Sequence, residues 1–333
     1  MKRRLALVAL ALAPVVAAAA AEAKPLRVGW VYALANAPAV IAQKKGFYAA
    51  EGLDVELTQF ADGPVIQQAV AAGDVDVAYV GAPPVYQWAS RGLDARILAK
   101  VNSGQAALIA STTATPPIAT LADLRGRRVA GVAKGSGMDV LLRGEVLKAR
   151  AGLDADRDLT VVNMPAPNMG AALDRKLVDA AFTWEPFVSE AVLRGTARIV
   201  LDVNQAIPDH PWYVVAATPA VLRGRGGDVV KLLRAHRRAI AFLEEHPDEA
   251  NALVADAFQI APVVGADGRR IAPVAVVQEA RRRLGWSARL EAGDLRFIQR
   301  LMDDSFALGF MARPMKVEQV VDASWLARAE GGK

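Results

Sequence analysis

The residues best suited to chemistry stand in two short stretches. Lys134-Gly-Ser-Gly-Met-Asp139 sets two glycines and a serine ahead of a helical segment. Backbone N–H groups there and the Ser136 hydroxyl could cradle a sulfonate, phosphate or carboxylate. The same residues serve equally as a turn with Ser136 capping the helix, and one residue can do both. The stretch lacks the Gly-Lys-Ser/Thr ending of a Walker phosphate loop. Glu185, in Trp184-Glu185-Pro186, is a carboxylate at a strand end. It would repel a bare anion and pair with an amine, or else complement the dipole of the following helix. Trp30, Trp184 and Trp212 stand at strand ends or chain crossings, where an indole covers an apolar body and donates from its N–H; packing in the core is the other role open to them.

Little else points to catalysis. The 333-residue chain has no cysteine and three histidines. His236 falls on an apolar helical stripe with Leu233 and Ile240, and reads as packed. His246 precedes Pro247 at a helix end and suits the dipole there. His210, in Pro-Asp-His-Pro-Trp, is expected beside the cleft, with a loop role or a pH-sensitive one. There is no Gly-x-Ser-x-Gly elbow and no His-Glu-x-x-His helix. No catalytic residue, metal ligand or cofactor is assigned, and a binding function is expected.

The elements that must position these residues recur. Val75-Asp-Val-Ala-Tyr-Val-Gly-Ala-Pro83 matches Val178-Asp-Ala-Ala-Phe-Thr-Trp-Glu-Pro186, and Ala49-Ala-Glu-Gly-Leu-Asp54 matches Ala149-Arg-Ala-Gly-Leu-Asp154. Two matches in one order indicate two related units. Each unit reads strand, helix, strand, helix, strand, which predicts an α/β protein with parallel sheets and helices on their faces. Ligands in such sheets bind beyond the carboxyl ends of the strands. Gly81 to Pro84 and Trp184 to Pro186 are therefore expected on opposite walls of a cleft, with outward backbone N–H groups at the helix starts. Asn102 to Ser111 and Asn204 to Thr218 read as the two crossings. The rest of the chain reads as helical, packed back on the first lobe.

Composition sets outer limits. Residues 1–23 have a basic start, an apolar run and Ala-Glu-Ala at the end, the pattern of a secretory leader cleaved near Ala23. Without Lys2, Arg3, Arg4 and Glu22, 37 bases face 34 acids. A net +3 is too mild to argue for nucleic acid. Arg281-Arg282-Arg283 and the pair Arg223 and Arg225 read as solvated faces or loops and carry no assigned chemistry. The hydrophobic fraction of 53% is ample for buried sheets.

The order and spacing of Ala37-Pro-Ala-Val-Ile-Ala-Gln-Lys-Lys-Gly-Phe-Tyr-Ala-Ala-Glu-Gly-Leu-Asp-Val-Glu-Leu57, Gln67 to Pro84, Leu121 to Gly137, Leu177 to Phe187 and His246 to Phe258 resemble the periplasmic substrate-binding proteins of ABC importers, in the nitrate/sulfonate/taurine group. The resemblance implies a type II periplasmic binding protein fold, with two α/β lobes joined by two hinge crossings around a ligand cleft. Lobe 1 would be residues 24–102 plus 212–333 and lobe 2 residues 103–211, with crossings near 103 and 210. It implies a monomeric periplasmic receptor that hands a small organic anion or zwitterion to an inner-membrane permease with its ATPase. By the same resemblance the first lobe contributes Trp30, Tyr32, Asn36, Ala37, Gly81, Ala82 and Pro83. The second contributes Gly135, Ser136, Gly137, Met138, Pro167, Asn168, Trp184 and Glu185, and Trp212 and Tyr213 line the return crossing. A pyrimidine thiamine precursor is the alternative solute, since Trp30, Tyr32, Trp184 and Trp212 could sandwich a flat ring. A sensory binding protein and a pyrimidine-synthesis-like enzyme are further alternatives.

Overall fold

The computed structural model describes residues 24–208 and 210–331, so the leader assigned to residues 1–23 lies outside it. The first lobe is built on strands β1 (Leu26–Val31), β2 (Val55–Phe60), β3 (Val77–Gly81) and β4 (Arg96–Lys100). A short crossing strand, β5 (Asn102–Gly104), leads to the second lobe, with β6 (Ala106–Ser111), β7 (Arg128–Gly131), β8 (Thr160–Asn163), β9 (Ala180–Trp184) and β10 (Ala197–Asp202). The chain returns through β11 (Tyr213–Ala217), which joins the first sheet.

The two sheets have one design. Their orders are β2-β1-β3-β11-β4 and β8-β7-β9-β6-β10, which match position by position. The crossing strand, β11 or β6, is the antiparallel member of each. The sequence pattern predicts only the parallel strands. The antiparallel one comes from one of the two crossings, β6 from the first and β11 from the return, where no local periodicity announces it.

The repeated residues hold equivalent places. Asp76 and Asp179 each accept from a backbone N–H near the start of the equivalent strands β1 and β7, Arg27 at 3.0 Å and Arg128 at 2.9 Å, and each also holds that arginine's guanidinium. The duplicated aspartates thus tie strand to strand. Gly52 and Gly152 both take positive φ, +66° and +63°, where the chain leaves a helix and sends Leu53 or Leu153 into the core. A side chain at such a φ is strained. Gly104, in the crossing, also takes positive φ, +79°, and has a further reason: a Cβ there would lie 2.2 Å from the Arg283 carbonyl oxygen.

The C-terminal third serves both lobes. Helix Pro219–Glu245 packs on helix Ala37–Lys44 and on helix Ser324–Gly331, as a first-lobe element must. Val229, Leu233 and Leu243 of its apolar stripe are buried. The segment from Val263 to Trp286, by contrast, reaches the second lobe. Ala266 lies against Gly195, and Arg283 enters the space beside helix Phe187–Arg194. Strand Leu284–Trp286 then pairs with β5. The stretch expected on the first lobe thus also touches the second, through long-range side-chain pairings that no helical stripe encodes.

His236 is fully buried, with Nδ1 3.3 Å from the Tyr79 hydroxyl and Nε2 3.0 Å from the Lys100 carbonyl oxygen. Burial holds its pKa down at about 4, against an ordinary 6.5. The unfolded chain therefore takes up this proton first as the pH falls. Stability from His236 is intact above pH 6.5 and is lost between about 6.5 and 4, by about 3 kcal/mol. Urea unfolding across this range will show that slope in the wild type, and His236→Gln will flatten it.

Candidate functional site

The carboxyl ends of β1, β2 and β8 and the loops that follow them surround a cavity of about 430 Å³ between the lobes. The first lobe supplies Tyr32, Gln59, Ala61 and Asp62; the second supplies Asn163 and Met164 at the end of β8 and Trp184 and Phe187 around the end of β9. A pocket of about 30 Å³ adjoins it, reached past Asp62, Val132 and Trp184 and lined also by Gly81, Ser136, Gly137, Met138, Trp212 and Tyr213. The lobes touch around these spaces. Trp184 Nε1 donates to the Tyr32 carbonyl oxygen at 3.1 Å, Gln87 Nε2 donates to the Gly135 carbonyl oxygen at 2.9 Å, and Pro83 rests against Gly137.

Of the residues expected from sequence, Tyr32, Gly81, Ser136, Gly137, Met138, Pro167, Trp184, Trp212 and Tyr213 line one or both spaces. The others do not. Trp30 packs edge-on against Phe258, with ring centroids 5.3 Å apart. Asn36 is buried and donates to the Val31 carbonyl oxygen, and Ala37 is buried beside it at the start of its helix. The Ala82 N–H donates to the Trp212 carbonyl oxygen. Pro83 and Gly135 are spent on contacts between the lobes, and Asn168 is exposed on helix Ala166–Asp174.

Glu185 requires the largest correction. It is 0% exposed and faces the C-terminal arm. Arg283 Nε donates to its Oε1 at 2.7 Å, the Ser189 N–H donates to its Oε2 at 3.0 Å, and the Arg283 guanidinium continues to Ser189 Oγ and Glu279. Burial pushes the Glu185 carboxyl up, while Arg283 pulls it down. It therefore offers nothing to a solute. The arginine run read as solvated is divided: Arg282 is exposed, Arg281 lies over Trp286, and Arg283 is buried in this pair.

The helix starts around the cleft are similarly occupied. The Gly135 N–H donates to Asp139 Oδ2 at 2.8 Å, and Asp139 also holds Arg143. Ser136 caps its helix, accepting from the Asp139 N–H. Lys134 points away to Asp156. Helix Ala82–Ser90 opens with Ala82, already bonded, and two prolines that have no N–H. Helix Phe187–Arg194 has Glu185 at its start. These termini carry anions of their own or lack donors, so the expected rim of free N–H groups is largely absent. Gly137 and Met138, the first two helical residues beside the small pocket, retain the orphan N–H groups that every helix start leaves.

Sequence reasoning missed Gln59, Asp62, Asn163 and Phe187. Gln59 and Asn163 sit near the carboxyl ends of the equivalent strands β2 and β8, whose ends the strand-end rule covers as well as the others. Asp62 precedes a Gly-Pro helix start and accepts from the Val65 N–H at 3.1 Å, an N-cap signature in the sequence. Among the described residues it is the one charged side chain lining either space.

Two matched sheets, crossing strands exchanged between them and a cavity at facing strand ends define a periplasmic binding protein fold. The alkanesulfonate-binding protein SsuA of Xanthomonas axonopodis pv. citri, solved bound to MOPS, shares it with a TM-score of 0.75 over 90% of this chain and 98% of that one, at 22% identity. The desulfurization enzyme DSZB also shares it, with a TM-score of 0.65 and 19% identity over 91% of this chain and 98% of that one. The chain belongs to the NMT1-like family, whose profile matches residues 19–258. A Brucella abortus (strain 2308) protein that is named only provisionally for binding is 31% identical over 251 residues, 74% of each chain. A Bacillus subtilis (strain 168) protein named for aliphatic sulfonate binding is 28% identical over 239 residues, 71% of this chain and 70% of that one. The chain is thus related to proteins named for the binding of aliphatic sulfonates, taurine and nitrate.

Replacing Arg283 by Met strands a buried carboxylate and is expected to cost about 3–5 kcal/mol at pH 7. The loss is expected to be smaller at pH 5 than at pH 7, because burial raises the carboxyl and favours its protonated form as the pH falls. Urea midpoints at the two pH values test this, and an equal loss at both would show that the pair's charge is not what is missed.

Proposed function

We propose that this protein is the periplasmic receptor of an ABC importer, a monomer that encloses a small organic solute between its lobes and passes it unchanged to a membrane permease and its ATPase. The observation that carries this reading is the cavity of about 430 Å³ lined from both lobes, a size suited to an organic molecule rather than to a bare nitrate. The favoured solutes are sulfonates with an apolar or amine-bearing body, the chemistry for which relatives are named. Neutral donors are at hand for the sulfonate: the side-chain amides of Gln59 and Asn163, and the N–H groups of Gly137 and Met138. Binding would draw the lobes together by stabilising the closed arrangement.

A flat heteroaromatic solute such as a pyrimidine is the second reading. It is favoured by Tyr32, Trp184 and Phe187, whose rings line the cavity with Phe187 6.0 Å from Tyr32 and 6.1 Å from Trp184. Against an enzymatic role stands the composition of the wall, where no histidine or lysine lines the two spaces among the described residues.

Thermal-shift and calorimetric screening against taurine, alkanesulfonates, nitrate and aminopyrimidines tests the proposal. A true solute at about 100 times its Kd adds about 2.7 kcal/mol of stability. Trp184→Phe keeps an aromatic wall but loses the N–H that links Trp184 to Tyr32 across the lobes, so it should weaken that solute about 2- to 10-fold. Turnover of any of these compounds by the purified protein would overturn the receptor reading.

A further inference from the structure

Three carboxylates stand at helix starts around the cleft, and two are spent. Asp139 is held by Arg143 and the Gly135 N–H, and Glu185 by Arg283 and Ser189. Asp62 differs. Its Oδ1 caps helix Gly63–Ala72, while its Oδ2 has no hydrogen-bond or ion-pair partner among the described residues. Asp62 is half-buried and lines both the cavity and the small pocket, at the passage between them. Its charge reaches the buried Tyr213 hydroxyl, whose proton it helps to retain. Among the described residues, no lysine or arginine lines either space to offset it.

The wall around it suits the same partner. Tyr32, Trp184 and Phe187 present aromatic rings to the cavity that Asp62 lines, and ring faces attract cations. A carboxylate with a free oxygen beside such rings selects a protonated amine and repels an anion placed at the same point. We propose that Asp62 is the specificity-determining residue of this site and that the solute carries an ammonium group which it reads. This rests on the receptor reading and narrows it: an aminosulfonate or amine-bearing aromatic enters, with any anionic end turned away from Asp62 toward the neutral donors of the second lobe.

Matched pairs that differ only in the amine provide the test: taurine against ethanesulfonate, 3-aminopropanesulfonate against propanesulfonate, and benzylamine against toluene, titrated into wild type and Asp62→Asn. Asparagine caps a helix as well as aspartate does, so the variant retains its fold. In the wild type the amine-bearing member of a binding pair is expected to bind at least about tenfold more tightly. In Asp62→Asn that preference falls to about twofold or less, while the amine-free member binds as well as before or better. If the amine-free members bind the wild type equally tightly, or if the preference survives in Asp62→Asn, the assignment is overturned and the receptor reading stands. If no member of any pair binds, the assignment falls together with that reading.

Discussion

The pair formed by Arg283 and Glu185 is the interaction on which the rest of the site depends. It joins residues 98 positions apart, both buried, and it carries the C-terminal arm onto the second lobe. A buried charge is costly unless it is paired and hydrogen-bonded, and here Ser189 and Glu279 complete the arrangement. The consequence for binding is subtraction. With Glu185 buried and paired to Arg283, the acid that stands nearest the cleft in the sequence pattern does not line it, and Asp62 is the charged group on the lining among the described residues.

The same economy governs the helix starts. Facing strand ends bring several helix N-termini toward one space, and their combined dipoles would make an anion trap. This chain fills most of them from within, with Asp62, Asp139 and Glu185 as resident anions and Pro83 and Pro84 where a donor would otherwise sit. What remains is a cavity walled by aromatic rings and amides with one partly free carboxylate. Among the described residues, no lysine or arginine lines that cavity to balance the carboxylate.

Much of the architecture was legible in the residues. The repeated Val-Asp-x-Ala and Gly-Leu-Asp segments place two equivalent β3 and β9 strands at the centres of two equivalent sheets, since a strand-forming run and a glycine that ends a helix act within a few residues of chain, whereas the aspartates reach Arg27 and Arg128 across 49 and 51 positions. The cleft also follows, because parallel strands deliver their loops to one end. Individual site residues were less legible. Trp184, Trp212 and the Ser136 loop do reach the lining, whereas Trp30 and Asn36 turn into the body of the first lobe. Strand ends name a neighbourhood, and the side of the strand on which a side chain falls depends on what packs there.

The sequence by itself determined the alternation of strands and helices, the two-unit plan and the caps, all of which rest on periodicities and bonds local to the chain. Only the tertiary structure decided which carboxylate would be free. Whether an acid faces a solute or an arginine depends on distances between segments that meet only in the folded molecule. Arg283 finds Glu185 because strand Leu284–Trp286 pairs with the crossing strand β5 and delivers it there. Among the described residues, no comparable cation reaches Asp62.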